Sequence, residues 1–297
     1  MAKSETFWSN WQPFAGWTPT AAVLAETLDG GQAFRWRADA DGTWTGFWSD
    51  CVAQLRLAHG ALEWRAPFAI EARVATELPH YLGHEHDWTA LTDALPWRSD
   101  PHLAQCVSAF RGLRLLRQPF GETLLGFLCS ATKQIVQIKQ MVALLAERHG
   151  VELARDDGAV FHRLPTWPEL AAIPETELRA CLLGFRARYI RETALFLAAR
   201  PDWLAVTAAA PYPEAKARLV ELPGVGEKVA DCVLLFGTGQ LEAFPVDTWI
   251  LKALARRYGL EGWKPAQVAH FGRVHFGLRA GLAQQYLFAW ERRHGGR

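Results

Sequence analysis

Lys228 and Asp247 stand nineteen residues apart in a stretch dense in glycine and proline, LPGVGEK followed by FPVD. A helix is expected to end near Leu222, where Pro223, Gly224 and Gly226 force a tight turn. A second helix is expected from Glu227, with Val229, Val233 and Phe236 on one side. Lys228 then lies in that helix's first turn, where a cation opposes the helix dipole and Glu or Asp would be the structural choice. If partly desolvated there, the lysine is expected to lose its ammonium more readily and offer its amine as a nucleophile. Asp247 follows a turn and precedes another helical segment, so it is an expected N-cap. The hairpin exposes the second helix's first amides, which have no partner inside the helix and suit a phosphate oxygen. An ordinary helical hairpin with glycines for close packing is the alternative. Gly224-Val-Gly226 is not a dinucleotide fingerprint, lacking a third glycine and a preceding strand, and it lacks the spacing of a triphosphate loop.

The elements that must position this pair change character along the chain. GQAFRWR (31–37), TWTGFW (43–48), VAQLRLA (52–58) and ALEWRA (61–66) are short, apolar and partly alternating, with turn signals at 39–42 and 58–60. They predict an antiparallel sheet. From about residue 100, helical spacing of apolar residues marks 101–116, 121–129, 133–149, 168–173, 175–183, 186–199, 214–220 and 227–236. The expected fold is α+β, mostly α. An N-terminal antiparallel β-sheet domain (1–100) precedes a helical domain (101–297) with a helix-hairpin-helix at about 214–237.

Composition narrows the function classes. The chain has 297 residues, half of them hydrophobic, and 14 tryptophans. It shows no membrane-length apolar run, and no secretory signal is expected. Its five cysteines are scattered without zinc or iron–sulfur spacing, so no cluster is expected, and a reduced intracellular protein is. In a bacterium this means cytoplasm or nucleoid. Net charge is +1, but residues 1–100 carry 7 basic against 13 acidic side chains and residues 101–297 carry 25 against 18. The later part is the one that could face phosphates, although such residues also serve simply as a solvated face. His84-Glu-His86-Asp87 could be read as metal ligands or, as expected here, as a polar loop.

The segment LPGVGEKVADC with its later PVD resembles the helix-hairpin-helix DNA glycosylases, in particular the eukaryotic-type 8-oxoguanine DNA glycosylases. Leu28-Asp-Gly-Gly-Gln-Ala-Phe-Arg-Trp36, Leu113-Arg-Leu-Leu-Arg-Gln118, Phe127-Leu-Cys-Ser130, Leu183-Gly-Phe-Arg-Ala-Arg-Tyr189 and Ala280-Gly-Leu-Ala-Gln-Gln-Tyr-Leu-Phe288 also resemble that family's segments, in its order. The resemblance implies a monomer that excises oxidised guanine from double-stranded DNA and then nicks the strand, needing no cofactor. It assigns the nucleophile to Lys228 and stabilisation of positive charge on the sugar to Asp247. Gly31 is implied as the carbonyl that accepts the N7 hydrogen of 8-oxoguanine, which guanine lacks. Cys232 and Phe288 would sandwich the flipped base, Gln284 would read its edge, and Pro245 joins them in the base-binding group. Lys228 with Cys232, and Gln284 with Phe288, are four apart and so share a helix face. A core stripe is the alternative for Cys232 and Phe288. The amides of Gly224, Gly226, Lys228 and Val229 would hold phosphate. The carbonyls of Val220, Leu222 and Val225 occupy the family's places for a monovalent cation.

Departures from the family fall at the residues that fill the gap and read the opposite cytosine. Its asparagine triplet is Thr132-Lys133-Gln134, its reading arginine is Gln137, and its tyrosine wedge is Phe185, while Arg186 is kept. Thr132 and Gln137 offer fewer, neutral donors to cytosine, so weaker selectivity for cytosine is expected. Its phosphate-binding histidine is Trp249, which puts that contact in doubt.

Overall fold

The computed structural model describes residues 7–156 and 159–295. Its N-terminal part is a five-stranded antiparallel sheet, β1 (Gln12–Pro13), β2 (Trp36–Ala38), β3 (Trp44–Trp48), β4 (Cys51–Ala58) and β5 (Ala61–Arg65), in the order β1-β5-β4-β3-β2. His59 (φ 52°) and Gly60 (φ 76°) both take positive φ and close the β4–β5 hairpin, whose register pairs Ala58 with Ala61. Tryptophans fill the inner face. Trp36 stacks on Trp48 with centroids 6.2 Å apart, and Trp48 on Tyr81 at 4.6 Å. Trp36 Nε1 also donates to the Tyr81 hydroxyl at 3.0 Å, so a buried indole keeps a polar partner.

Three helices belong to this part as well: α1 (Ala21–Asp29), α2 (Glu71–Tyr81) and α3 (Trp88–Asp93). None was expected from the apolar spacing of the first hundred residues. Thr20 caps α1 through the Val23 amide and Asp87 caps α3 through the Ala90 amide, both at sequence-visible cap positions. The GQAFRWR strand is corrected: only Trp36–Ala38 pairs with β3, and residues 31–35 run as a connection.

The helical part runs α4 (Pro101–Ala109), α5 (Phe120–Leu128), α6 (Ile135–His149), α7 (Trp167–Ala172), α8 (Glu175–Leu178), α9 (Arg186–Ala198), α10 (Trp203–Ala209), α11 (Tyr212–Val220), α12 (Glu227–Gly237), α13 (Thr248–Tyr258), α14 (Pro265–Phe276) and α15 (Ala280–His294). The expected helix 101–116 stops at Phe110, and residues 113–118 belong to neither helix nor strand. A short hairpin, β6 (Glu152–Asp156) with β7 (Ala159–His162), interrupts the helices where none was expected. Residues 175–183 divide into α8 and a π-turn over Arg179–Leu183. Among the described residues, no helix is long and apolar enough to cross a membrane.

α12 is the central helix. Every residue from Val229 to Phe236 is buried, because α5 and α11 flank it. Phe236 stacks on Phe127 of α5 at 5.6 Å. α1 docks on α15, where Glu26 meets Arg292 at 3.4 Å, and the end of α1 meets α6 through Asp29 and Lys139 at 2.6 Å. These contacts fix the segment after α1 against the helical part, which brings Gly31 beside α15.

Candidate active site

One small cleft is lined by Gly31, Phe127, Lys228, Cys232, Phe236, Pro245, Asp247, Gln284, Gln285 and Phe288. Its free volume is about 40 Å³. The six side chains and the glycine expected at the reaction centre and base slot all meet here. Phe127, Phe236 and Gln285 were missed, although Phe127 and Gln285 stand in segments that carried the resemblance.

Lys228 projects from the first turn of α12, whose N-cap, Gly226, has no side chain to satisfy the helix's first amides. Its amine donates to Ser130 Oγ at 3.3 Å and lies 5.3 Å from the centre of the Phe127 ring. Ser130 gives its own proton to the Phe127 carbonyl at 2.7 Å, so towards the lysine it can only accept. The sequence held no separate signal for Ser130, because its partner is 98 residues away.

Asp247 is the N-cap of α13, as expected, accepting from the Ile250 amide at 2.9 Å. Burial pushes its carboxyl above the usual carboxylate range, and the Ile250 amide and the Lys228 charge partly offset that. Burial likewise pushes the Cys232 thiol up to about 12, so it is neutral near pH 7 and no rival nucleophile to the amine.

Gly31 has φ +103°, and a Cβ there would lie 3.1 Å from Ile135 Cδ1 and 3.6 Å from Phe288 Cε1. Glycine is required both for the backbone and for the space. Gln32 holds this turn. Its amide donates to the Arg114 carbonyl at 2.9 Å and accepts from the Leu116 amide at 3.0 Å, while Gln118 donates to the Gln32 carbonyl at 2.7 Å. The segment 113–118 therefore serves as the brace of Gly31. On α15, buried Gln284 donates to the Pro245 carbonyl at 3.0 Å and accepts from Gln285 at 2.7 Å. Pro245 thus acts through its carbonyl, orienting Gln284 towards the cleft with hydrogen-bonding capacity to spare.

The hairpin between α11 and α12 has the expected turn. Gly224 takes φ +78°, and a Cβ there would come within 2.6 Å of Tyr189 Cδ2. Lys216 ties the hairpin from beneath, 2.6 Å from Glu227 and 3.0 Å from buried Asp231. The Leu222 carbonyl accepts the Val225 amide at 3.1 Å. Val220 is partly exposed and Val225 is buried beneath the turn.

Most of the residues expected to face the opposite base and the DNA backbone lie at the surface. Thr132 and Gln137 are exposed, with Gln137 Oε1 accepting the Gln134 amide at 3.2 Å. Phe185 is half exposed and Trp249, on α13, is 38% exposed. Arg186 is only 3% exposed. It donates to the Leu183 carbonyl at 3.2 Å, to the Ala131 carbonyl, and to Thr132 Oγ1 at 3.0 Å, and it lies 4.4 Å under the Phe185 ring. In this conformation Arg186 is a staple beneath the surface rather than an open donor. The four polar residues 84–87 disperse to separate duties. His84 packs on Phe14, Glu85 pairs with His80, His86 packs on Trp88, and Asp87 caps α3.

Comparison with known proteins agrees with this geometry. Residues 17–124 match the family described as 8-oxoguanine DNA glycosylase, N-terminal domain, so the match runs past the expected boundary at residue 100. The chain is 33% identical over 294 residues to the N-glycosylase/DNA lyase OGG1 of Arabidopsis thaliana, covering 92% of this chain and 78% of that protein. It is 31% identical to a probable N-glycosylase/DNA lyase of Methanothermobacter thermautotrophicus, covering 69% and 72%. A solved structure of Clostridium acetobutylicum 8-oxoguanine glycosylase/lyase, bound to double-stranded DNA with cytosine opposite 8-oxoG, superposes with a TM-score of 0.85. That match has 29% identity over 92% of each chain.

Proposed function

The chain belongs to the 8-oxoguanine DNA glycosylase family of N-glycosylase/DNA lyases, and we propose that it repairs oxidised guanine in duplex DNA with Lys228 as nucleophile and Asp247 as its electrostatic partner. The protein is a base-excision-repair enzyme, with glycosylase and lyase activities, acting on DNA. The observation that carries the residue assignment is the meeting of the Lys228 amine, the Asp247 carboxyl and the Gly31 turn around one cleft.

The neutral Lys228 amine attacks C1′ of the everted nucleotide. The C1′–N9 bond breaks with its electron pair leaving on the base, which takes up a proton. The amine then loses a proton and the sugar ring opens, leaving a Schiff base between Nζ and C1′. Loss of a C2′ proton and departure of the 3′ phosphate complete the strand nick. Positive charge gathers on the sugar as the base leaves, and an ionised Asp247 in a buried site stabilises it strongly. Recognition rests on a single hydrogen. The Gly31 carbonyl accepts N7–H of 8-oxoguanine but would face the N7 lone pair of guanine, an unpaired buried acceptor. Phe288 and Cys232 supply the two faces of the slot, and Gln284 supplies edge hydrogen bonds.

Opposite-base selectivity is proposed to be relaxed, because Thr132 and Gln137 are neutral and Arg186 is engaged internally. No cofactor is required in this scheme. A monovalent cation at the carbonyls of Val220, Leu222 and Val225 would help seat a phosphate on the hairpin amides. A strand-cleavage panel with 8-oxoguanine opposite each normal base tests the activity, with undamaged guanine as control. Absence of lesion-dependent cleavage would overturn it.

A further inference from the structure

Among the described residues, four non-glycine positions have positive φ, and two of them face one another across Arg186. They are Thr132 (φ 56°) and Leu182 (φ 63°). Arg186 joins their loops by donating to the Leu183 carbonyl on one side and to the Ala131 carbonyl and Thr132 Oγ1 on the other. Leu182 is the stranger of the two. An L residue is disfavoured in the left-handed region, and Asn or Gly is the usual occupant. Strain of that kind is normally accepted in exchange for burial, yet the Leu182 side chain is 52% exposed. Gly184, two residues on, shows glycine at positive φ in the same turn. Neither packing nor backbone preference accounts for a leucine here, and an observed outlier of this kind points to a functional site.

The surroundings say what it would touch. Phe185, also half exposed, lies three residues away with its ring propped on Arg186. The neighbouring loop leads directly from Ala131 back to Ser130, which holds the Lys228 amine. Leu182 and Phe185 therefore form an apolar tip beside the mouth through which a nucleotide must reach the amine. Everting a nucleotide leaves a hole in the stack, and apolar wedges of the Leu and Phe type enter base steps to hold such distortions open.

We propose that Leu182 is a second wedge, entering the DNA stack next to Phe185 and helping to hold the lesion out of the helix. This rests on the reading of duplex DNA as substrate. The Arg186 staple keeps the strained turn presented before DNA arrives, so the cost of forming it is met on folding rather than on binding.

The test uses the whole protein in four forms: wild type, Leu182→Gly, Leu182→Asn and Leu182→Met. Gly and Asn suit the left-handed backbone, so both should melt at or above the wild-type temperature. Single-turnover excision of 8-oxoguanine by both should nevertheless fall about tenfold, with Leu182→Met within about twofold of wild type. A 2-aminopurine beside the lesion should report less unstacking in the Gly and Asn forms. Binding of the same four proteins to a duplex carrying a tetrahydrofuran abasic site reads the wedge even where no base is cut. Failure of wild-type excision would then count against the substrate reading alone. Leu182→Gly matching wild type within twofold in excision, unstacking and abasic-site binding would overturn the proposal.

Discussion

The Ser130 hydroxyl accepts the Lys228 amine at 3.3 Å while donating to the Phe127 carbonyl at 2.7 Å. With its proton committed, the hydroxyl can only receive a hydrogen from the amine. The tether sets the direction of the amine. The nucleophile is therefore oriented from the turn that follows α5, while α12 supplies the height at which it enters the cleft.

Replacing Asp247 by Asn separates charge from capping. Asn caps as well as Asp, so the Ile250 amide keeps its partner and helix α13 should stay intact. Loss of the buried negative charge should slow excision by about 100-fold or more. Single-turnover rates beside thermal melts check this, and a parallel loss of fold and rate would contradict it.

The same variant carries a pH signature. Burial raises the folded-state Asp247 carboxyl above its ordinary range, so the folded state favours the protonated form. That contribution to stability is present below the unfolded value and is lost as pH rises through the folded one. Asn never ionises. The melting temperature of Asp247→Asn relative to wild type should therefore increase between about pH 4 and pH 8. A difference that stays flat or falls would contradict the assignment.

Gly31→Ala should both strain the turn and narrow the slot. Its Cβ would sit 3.1 Å from Ile135 Cδ1 at φ +103°. A stability loss of about 1–2 kcal/mol is expected. Excision of 8-oxoguanine should fall at least about tenfold, because the Gly31 carbonyl shifts from its position. Calorimetry and kcat/KM measure the two effects.

Gly224→Ala meets Tyr189 at 2.6 Å and a disfavoured φ, so the hairpin must move. Because the hairpin is assigned to phosphate rather than to base recognition, affinity should drop by about tenfold for damaged and undamaged duplex alike. Titrations with both duplexes check it, and a loss confined to the lesion would contradict it.

Excision rates opposite cytosine, adenine, guanine and thymine should be comparable. The side chains at 132 and 137 are neutral, and Arg186 is committed to Ala131, Thr132 and Leu183. A preference for cytosine of about 100-fold or more would show that a charged reader rearranges on binding.

Much of the helical half was legible because its apolar residues repeat at helical spacing, but α10 and α14 lay outside the expected segments. The Lys228–Cys232 and Gln284–Phe288 pairs followed from positions four apart on one helix. Other features depended on long-range partners. Gln32 reads as strand and residues 113–116 as helix from local pattern, yet neither keeps that element, because the Gln32 side chain bonds the backbone of Arg114 and Leu116. Ser130 carries no mark of its distant lysine. The helices α1 and α3 were not expected, although Thr20 and Asp87 stand at their caps. Arg186 could be named from its segment, whereas its burial beneath Phe185 is a tertiary fact.

Borohydride trapping tests the central claim most directly. Wild-type protein incubated with a duplex containing 8-oxoguanine and reduced during turnover should give a covalent adduct. Peptide mass spectrometry should place the deoxyribose remnant on Lys228, and Lys228→Gln should give no adduct while still binding the duplex. An adduct on another residue, or undiminished trapping by Lys228→Gln, would contradict the account.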